Sequence, residues 1–136
     1  MKNLLKLFKM KKTLLLLLSL FSVVIYAQNG WIQKSNFLGG KRYNGVAFSI
    51  GNKGYYGTGL DSNITSKKDF WEYDPLTDTW TQKADFGGIA RENAFGLTIG
   101  NKGYIGTGKV YAGQICVDVW EYDPLGNTWT QKADFG

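Results

Sequence analysis

The chain has 136 residues, with 16 lysines and arginines against 11 acids, no histidine, one cysteine, 18 glycines and 15% aromatic residues. The lack of histidine excludes a Cys–His nucleophile pair and any imidazole metal ligand, and the lone Cys116 excludes an intrachain disulfide. Many aromatics punctuated by glycine make an all-β composition.

Residues 1–27 read as a secretory signal peptide. Lys2, Lys6, Lys9, Lys11 and Lys12 precede the apolar run Thr13–Ala27, and Ala27 is the small residue before a cleavage point at Gln28. Met10 is an alternative start to Met1, because a complete signal follows it. The apolar run is shorter than the ~20 residues that span a bilayer, so no membrane span is expected after cleavage. Cleavage removes five lysines and no acid, leaving eleven basic and eleven acidic residues. The basicity is a targeting feature, and the footprint expected of nucleic-acid binding disappears with it. The expected location is exported: periplasmic, cell-surface or extracellular. Freedom from disulfides fits those places without requiring one of them.

Trp31–Lys34 (WIQK) matches Trp80–Lys83 and Trp129–Lys132 (WTQK), and is expected to be an outer strand, the last of a unit whose beginning is absent. Phe37–Arg42 is a Gly-rich connection. Val46, Phe48 and Ile50 then alternate with Ala47 and Ser49, as Phe95, Leu97 and Ile99 do with Gly96 and Thr98, which marks a strand. Its small-residue face suggests close approach by a neighbouring backbone. Asn52-Lys53-Gly54 and Asn101-Lys102-Gly103 are expected as type I turns, each closed by its final glycine in the left-handed region. A second strand follows (GYYGTG, GYIGTG), then the loops Leu60–Lys68 and Lys109–Val117, equal in length with no residue in common. The third strand is DFWEY or DVWEY. Asp74-Pro75 and Asp123-Pro124 open the next turn, where Asp78 and Asn127 sit at positions suited to left-handed backbone. The fourth strand is TWTQK.

Apart from those two loops, which keep only their length, each of these pieces recurs after 49 residues, most plainly in WEYDPLTDTWTQKADFG (71–87) and WEYDPLGNTWTQKADFG (120–136). A fixed period near 50 is the mark of a repeat architecture. Blade one is expected over about 43–84 and blade two over about 92–133 within a partial propeller spanning 28–136.

The unit resembles a kelch repeat, the four-stranded blade of a β-propeller. The resemblance rests on Arg42/Arg91 before strand one and on the Tyr55/Tyr104 strands ending in glycines. It rests also on Tyr73-Asp74-Pro75 with Trp80, repeated as Tyr122-Asp123-Pro124 with Trp129. The family's adjacent glycine pair is split here, as Gly57-Thr58-Gly59 and Gly106-Thr107-Gly108. No Trp-Asp pair closes the blades, which argues against the WD type. The resemblance implies that the arginine braces the loop before strand one. Copper-oxidase kelch propellers use histidine and tyrosine ligands, and this chain has no histidine to offer.

Several motifs carry no chemistry. Gly103 to Gly108-Lys109 has most of a phosphate-loop spacing, but Val110 stands where Ser or Thr is required. Asp61-Ser62-Asn63 begins like a calcium loop without its later glycine and acid. Asn63-Ile64-Thr65 is a glycosylation sequon, meaningful only in a host that modifies such sites. The acids at 69/118, 72/121, 74/123 and 85/134, and the tryptophans at 71/120 and 80/129, recur in phase. A catalytic site is normally singular, so these read as structural, the tryptophans packing between blades. Cys116 reads as a semi-buried thiol, and no catalytic residue, metal site or cofactor is assigned.

In an up-and-down blade, connections 2–3 and 4–1 share one end. That end carries the loops that do not repeat, and a scaffold that varies only there is expected to bind there. The kelch resemblance implies the same face. Candidate contacts are Asp61, Ser62, Asn63, Lys67 and Lys68 from one loop, Lys109, Tyr111 and Gln114 from the other, with Arg42 and Arg91 beside them. The expected function is an exported scaffold binding a protein or glycan. The alternative is a carbohydrate-active enzyme (epimerase, oxidase or lyase type) with catalytic groups in blades outside this chain. One outer strand and two full blades give nine strands, which fit a longer propeller whose remaining blades are partners of these. Alone, residues 28–136 are expected to aggregate or be partly molten, because two blades leave both outer faces apolar and exposed and a ring of copies made of complete blades has no place for the extra strand.

Overall fold

A computed structural model describes residues 30–111 and 113–136. The signal-peptide reading of residues 1–27 lies outside the described residues. The chain divides into Met1–Gln33 and Lys34–Gly136. In the first unit, residues 30–33 are the described part; they form no strand, and Trp31 is fully exposed.

The second unit is all-β. Its strands are β1 (Arg42–Tyr43), β2 (Val46–Ile50), β3 (Lys53–Gly57), β4 (Leu60–Asp61), β5 (Phe70–Asp74), β6 (Thr79–Lys83), β7 (Phe95–Ile99), β8 (Lys102–Gly106), β9 (Val119–Asp123) and β10 (Thr128–Gln131). Two antiparallel four-stranded sheets, β2-β3-β5-β6 and β7-β8-β9-β10, are the two propeller blades. Among the described residues no helix is long and apolar enough to cross a membrane.

In its strands and connections the structure departs from the sequence-based expectation at three points. Trp31–Lys34 is not a strand. A strand needs a ladder partner, and the strand-three segment that pairs with TWTQK in each blade has no counterpart before Trp31 in the sequence. The 1–2 hairpins turn one residue pair earlier than expected: Ile50 pairs with Lys53, and the left-handed residues are Gly51 (φ 58) and Gly100 (φ 60). A left-handed glycine as the first of two turn residues is the type II′ pattern, whose twist matches that of the flanking strands. Gly54 and Gly103 instead lie within the ladders. Finally, the 4–1 and 2–3 connections are not free loops. β1 pairs with β4 in blade one, and Glu92 bridges Lys109 at the corresponding place in blade two.

The blades join through opposite characters on their facing sides. Blade one presents Val46, Phe48 and Ile50 from β2, Tyr55 from β3 and Phe70 from β5. Blade two receives them on Gly96 of β7, Gly103 and Ile105 of β8, and Tyr122 of β9. A Cβ at Gly96 would collide with Val46, and one at Gly103 with the Phe48 ring. The small-residue face is therefore approached by side chains rather than by backbone. Phe70 lies edge-on to Tyr122 (4.9 Å) and Trp129 (5.0 Å) across the junction. Val46, Ile50, Tyr55, Phe70, Phe86, Ile105 and Tyr122 form the buried cluster. Thr98 Oγ1 donates to the Ser49 carbonyl at 2.5 Å and Asn93 N to the Asn44 carbonyl at 3.0 Å, tying strand to strand.

Candidate functional site

The 2–3 and 4–1 connections do share one end, and they hydrogen-bond to one another there. Gly59 N donates to Arg91 O (2.8 Å), Arg91 N to Lys67 O (3.3 Å) and Phe86 N to Lys68 O (2.7 Å). The two non-repeating loops follow one backbone path. Asp61 N to Thr65 O (3.1 Å) corresponds to Val110 N to Gln114 O (3.0 Å), and Lys67 N to Gly59 O (2.8 Å) corresponds to Cys116 N to Gly108 O (2.8 Å). Leu60 bridges Ser66 as Lys109 bridges Ile115. Different side chains are thus mounted on a common, internally bonded backbone.

One position shows how closely the paths agree. Gly113 has φ 90, and its counterpart Ile64 has φ 59. A β-branched residue is strained there by about 1–2 kcal/mol, against about 0.5–1 kcal/mol for the extra freedom glycine loses on folding. Ile64→Gly is therefore expected to raise the melting temperature by a few degrees in a thermal scan. A lower value would show that Ile64's apolar contacts outweigh the strain.

The frame beneath both loops is an arginine–aspartate fork. Arg42 Nη1 and Nη2 reach Asp69 Oδ1 and Oδ2 at 2.7 and 2.8 Å, and Arg91 reaches Asp118 at the same two distances. Trp71 and Trp120 each donate Nε1 to that carboxylate at 2.6 Å. Arg42 also donates to Gly39 O and Thr58 O, and Arg91 to Ile89 O and Thr107 O. Burial pushes both carboxyls up, but the guanidinium and indole donors outweigh it and hold Asp69 and Asp118 below the usual range. The side chains of Arg42 and Arg91 are only 2% and 0% exposed. They brace the loop bases, and their charge is met within the protein rather than offered at a free surface.

Each fork forms the floor of a depression. The first, about 360 Å³, is lined by Arg42 and Asp69 with Ser66, Lys67, Lys68 and Asp85. The second, about 440 Å³, is lined by Arg91 and Asp118 with Gln114, Ile115, Cys116, Val117 and Asp134. Offset by 49, Ser66-Lys67-Lys68 becomes Ile115-Cys116-Val117, so three polar or cationic residues at one cup are replaced by three less polar ones at its counterpart, while the acids and the arginine of both cups recur. Arg42 Nε and Ser66 Oγ, both at the first cup, are buried without a hydrogen-bond partner within the protein. Between the loops runs a third depression of about 440 Å³, lined by Ile64, Ile89, Val110 and Tyr111 among others, with Tyr111 62% exposed.

Of the residues singled out in the sequence, Arg42, Lys67 and Lys68 meet at the first cup, Arg91 and Gln114 at the second, and Tyr111 at the cleft. Asp61 serves the loop itself. Its Oδ1 accepts from Asn63 N and Thr65 N at 2.9 Å, and its Oδ2 lies 2.9 Å from Lys67 Nζ. The Lys67 ammonium, helped by the Thr65 amide, holds the Asp61 carboxyl below its ordinary value. Ser62 and Asn63 are exposed on that turn. Lys109 pairs through its backbone with Glu92, and its ammonium lies 3.8 Å from the Glu92 carboxylate. Cys116 is buried, with 7% exposure.

Ser66, Asp85 and Asp134 also line the cups. The two acids recur in phase, and the reasoning that read recurring residues as structural passed over them. Ser66 was discoverable by comparing the loops position by position at the repeat offset.

No family model matches the chain, and no curated protein matches it. A solved structure of the protein YjhT is similar over 80% of this chain, with a TM-score of 0.68 at 16% identity, and the match spans 43% of that chain. The present chain thus covers less than half the length of that structure. At this identity the likeness shows the propeller-type fold and nothing of the activity.

Proposed function

We propose that this chain is an exported kelch-type scaffold that binds a protein or glycan through the face built from its 2–3 and 4–1 connections. The observation that carries the reading is the common backbone of the loops Leu60–Lys68 and Lys109–Val117 beneath unrelated side chains. Two loops held to one geometry differ in every side chain. The exposed Tyr111 ring offers an apolar platform with a polar tip, suited to a sugar face or a peptide side chain. Lys67, Lys68 and Asp85 at the first cup add orienting charges. Export is supported by the lysine-rich start and apolar run of residues 1–27.

A loop exchange tests this. Residues 60–68 are replaced by the sequence of 109–117, whose described residues already adopt the same path, and both proteins are applied to an array of glycans and extracellular-protein fragments. The parent is expected to capture a restricted set that the exchanged variant loses, with far-UV circular dichroism unchanged. Equal capture by both, or capture of nothing by the parent, would overturn the proposal.

A further inference from the structure

The first cup and the cleft between the loops are neighbours. Ser66 and Ala90 line both, so the two depressions, about 360 and 440 Å³, share a wall and run on from one another. Each is of a size that holds a small ligand. Their walls are residues of the two joined blades and of the connections leading into them.

The two differ in character. Around the cleft, Ile64, Ile89 and Tyr111 are 46%, 55% and 62% exposed, and its lining among the described residues includes no charge. At the cup the charges cancel. Arg42 is forked to Asp69, and Lys67 reaches Asp61 at 2.9 Å. That leaves one ammonium, Lys68, and one carboxylate, Asp85, both on exposed residues. An anion drawn to Lys68 also meets Asp85, and a cation drawn to Asp85 also meets Lys68. A group that uses both must accept and donate along one edge, as adjacent hydroxyls do.

Ser66 stands on the shared wall. The residue is half-exposed, yet its Oγ is buried without a partner within the protein. Turning χ1 to another staggered rotamer moves the hydroxyl without breaking any bond, and a ligand oxygen that met it would offset the cost of leaving it unpaired. One repeat later Ile115 replaces Ser66 and Val117 replaces Lys68, so this set of polar groups belongs to the first cup and not to the second.

We propose that cup and cleft form one site for a neutral glycan of two or more pyranose rings, an inference that rests on the reading of the loop face as a binding surface. A pyranose has an apolar face of C–H groups and an edge of hydroxyls, which is the division the site makes. One ring lies against Tyr111 beside Ile64 and Ile89, its C–H face on the phenol ring. The next enters the cup, where adjacent hydroxyls accept from Lys68 and donate to Asp85, and Ser66 Oγ bonds a further oxygen.

The test uses the purified chain with the neutral probes cellotetraose, maltotetraose, xylotetraose and mannotetraose, and the acidic probe tetragalacturonate, in titrations followed by ligand-detected NMR. At least one neutral probe is expected to bind, with an affinity that changes less than about twofold between about 0.05 and 0.5 M salt, because no net charge is engaged. Tyr111→Ala should weaken it about tenfold. Asp85→Asn and Lys68→Ala should each weaken it severalfold. All three side chains are on exposed residues, so an unchanged melting temperature checks that the fold is kept. Ser66→Ala should weaken binding without lowering the melting temperature, since its hydroxyl has no partner to lose. No binding of any neutral probe, preference for the acidic one, strong salt dependence, or binding indifferent to these substitutions would overturn the glycan site. The loop-face reading survives those results if the loop exchange still abolishes capture on the array, and falls as well if the parent captures nothing there.

Discussion

Phe70→Ala is expected to destabilise the protein by about 3–5 kcal/mol in a urea titration, the range for removing a large aromatic from a core. Phe70 has no solvent exposure. Within its own blade it stacks on Tyr55 (5.6 Å) and lies against Phe48 (5.8 Å), and across the junction it meets Tyr122 and Trp129. The substitution therefore opens a cavity at the junction that joins the blades, so unfolding should become less cooperative as well as easier. Leu125→Ala is the control. That side chain is 87% exposed at a turn, and its loss should cost no more than about 0.5 kcal/mol. Equal effects of the two substitutions would mean that the junction adds nothing to stability.

Phe70 also shows where the sequence was readable and where it was not. The period of 49 residues, the strand order and the turns at Asp74 and Asp123 follow from recurrence, since each blade must rebuild the same ladders. Recurrence directed attention to the tryptophans at 71/120 and 80/129. Trp129 does pack at the junction, yet the fully buried rings there are Phe70 and Tyr122, and the counterpart of Phe70 is Val119. The exchange of sizes between positions 46/70 and 95/119 preserves packing without preserving residues. A search for repeats sees two mismatches where the face sees a constant volume. The hairpins were misread for a related reason: GNKG holds two glycines, and which of them takes the left-handed backbone depends on the pairing of Ile50 with Lys53.

The site was legible in location and less so in composition. Connection topology put the variable loops on one end, where the structure has them. It could not show that β1 pairs with β4, because two-residue ladders leave no periodic signal. Arg42 and Arg91 drew notice as recurring charges beside the loops. Whether such a fork faces solvent or a carboxylate depends on Asp69 and Asp118, each 27 residues onward in the chain.

That fork yields the other large effect. Arg91→Met keeps much of the side-chain volume and removes the charge, leaving Asp118 with the Trp120 indole and leaving the Thr107 and Ile89 carbonyls without their donor. Breaking a buried pair by deleting one partner costs about 3–5 kcal/mol, and the 22% exposure of the Asp118 side chain places this case near the lower end. Arg91→Lys should recover part of the loss, since a single ammonium cannot match both carboxylate oxygens. The pH dependence separates charge from packing. In the parent, Asp118 is held below its ordinary 3.8, so its stabilisation is complete above that value and is lost as the pH falls through the lower folded value. In Arg91→Met the opposing guanidinium is gone while burial remains, so the carboxyl moves upward and protonation relieves the variant. The stability gap between parent and variant should therefore be wide at neutral pH and narrow as the solution is acidified below about pH 4. Urea titrations at pH 7 and pH 3 measure that gap directly; an unchanged difference would assign the loss to the arginine's packing and its carbonyl partners, and not to the stranded carboxylate.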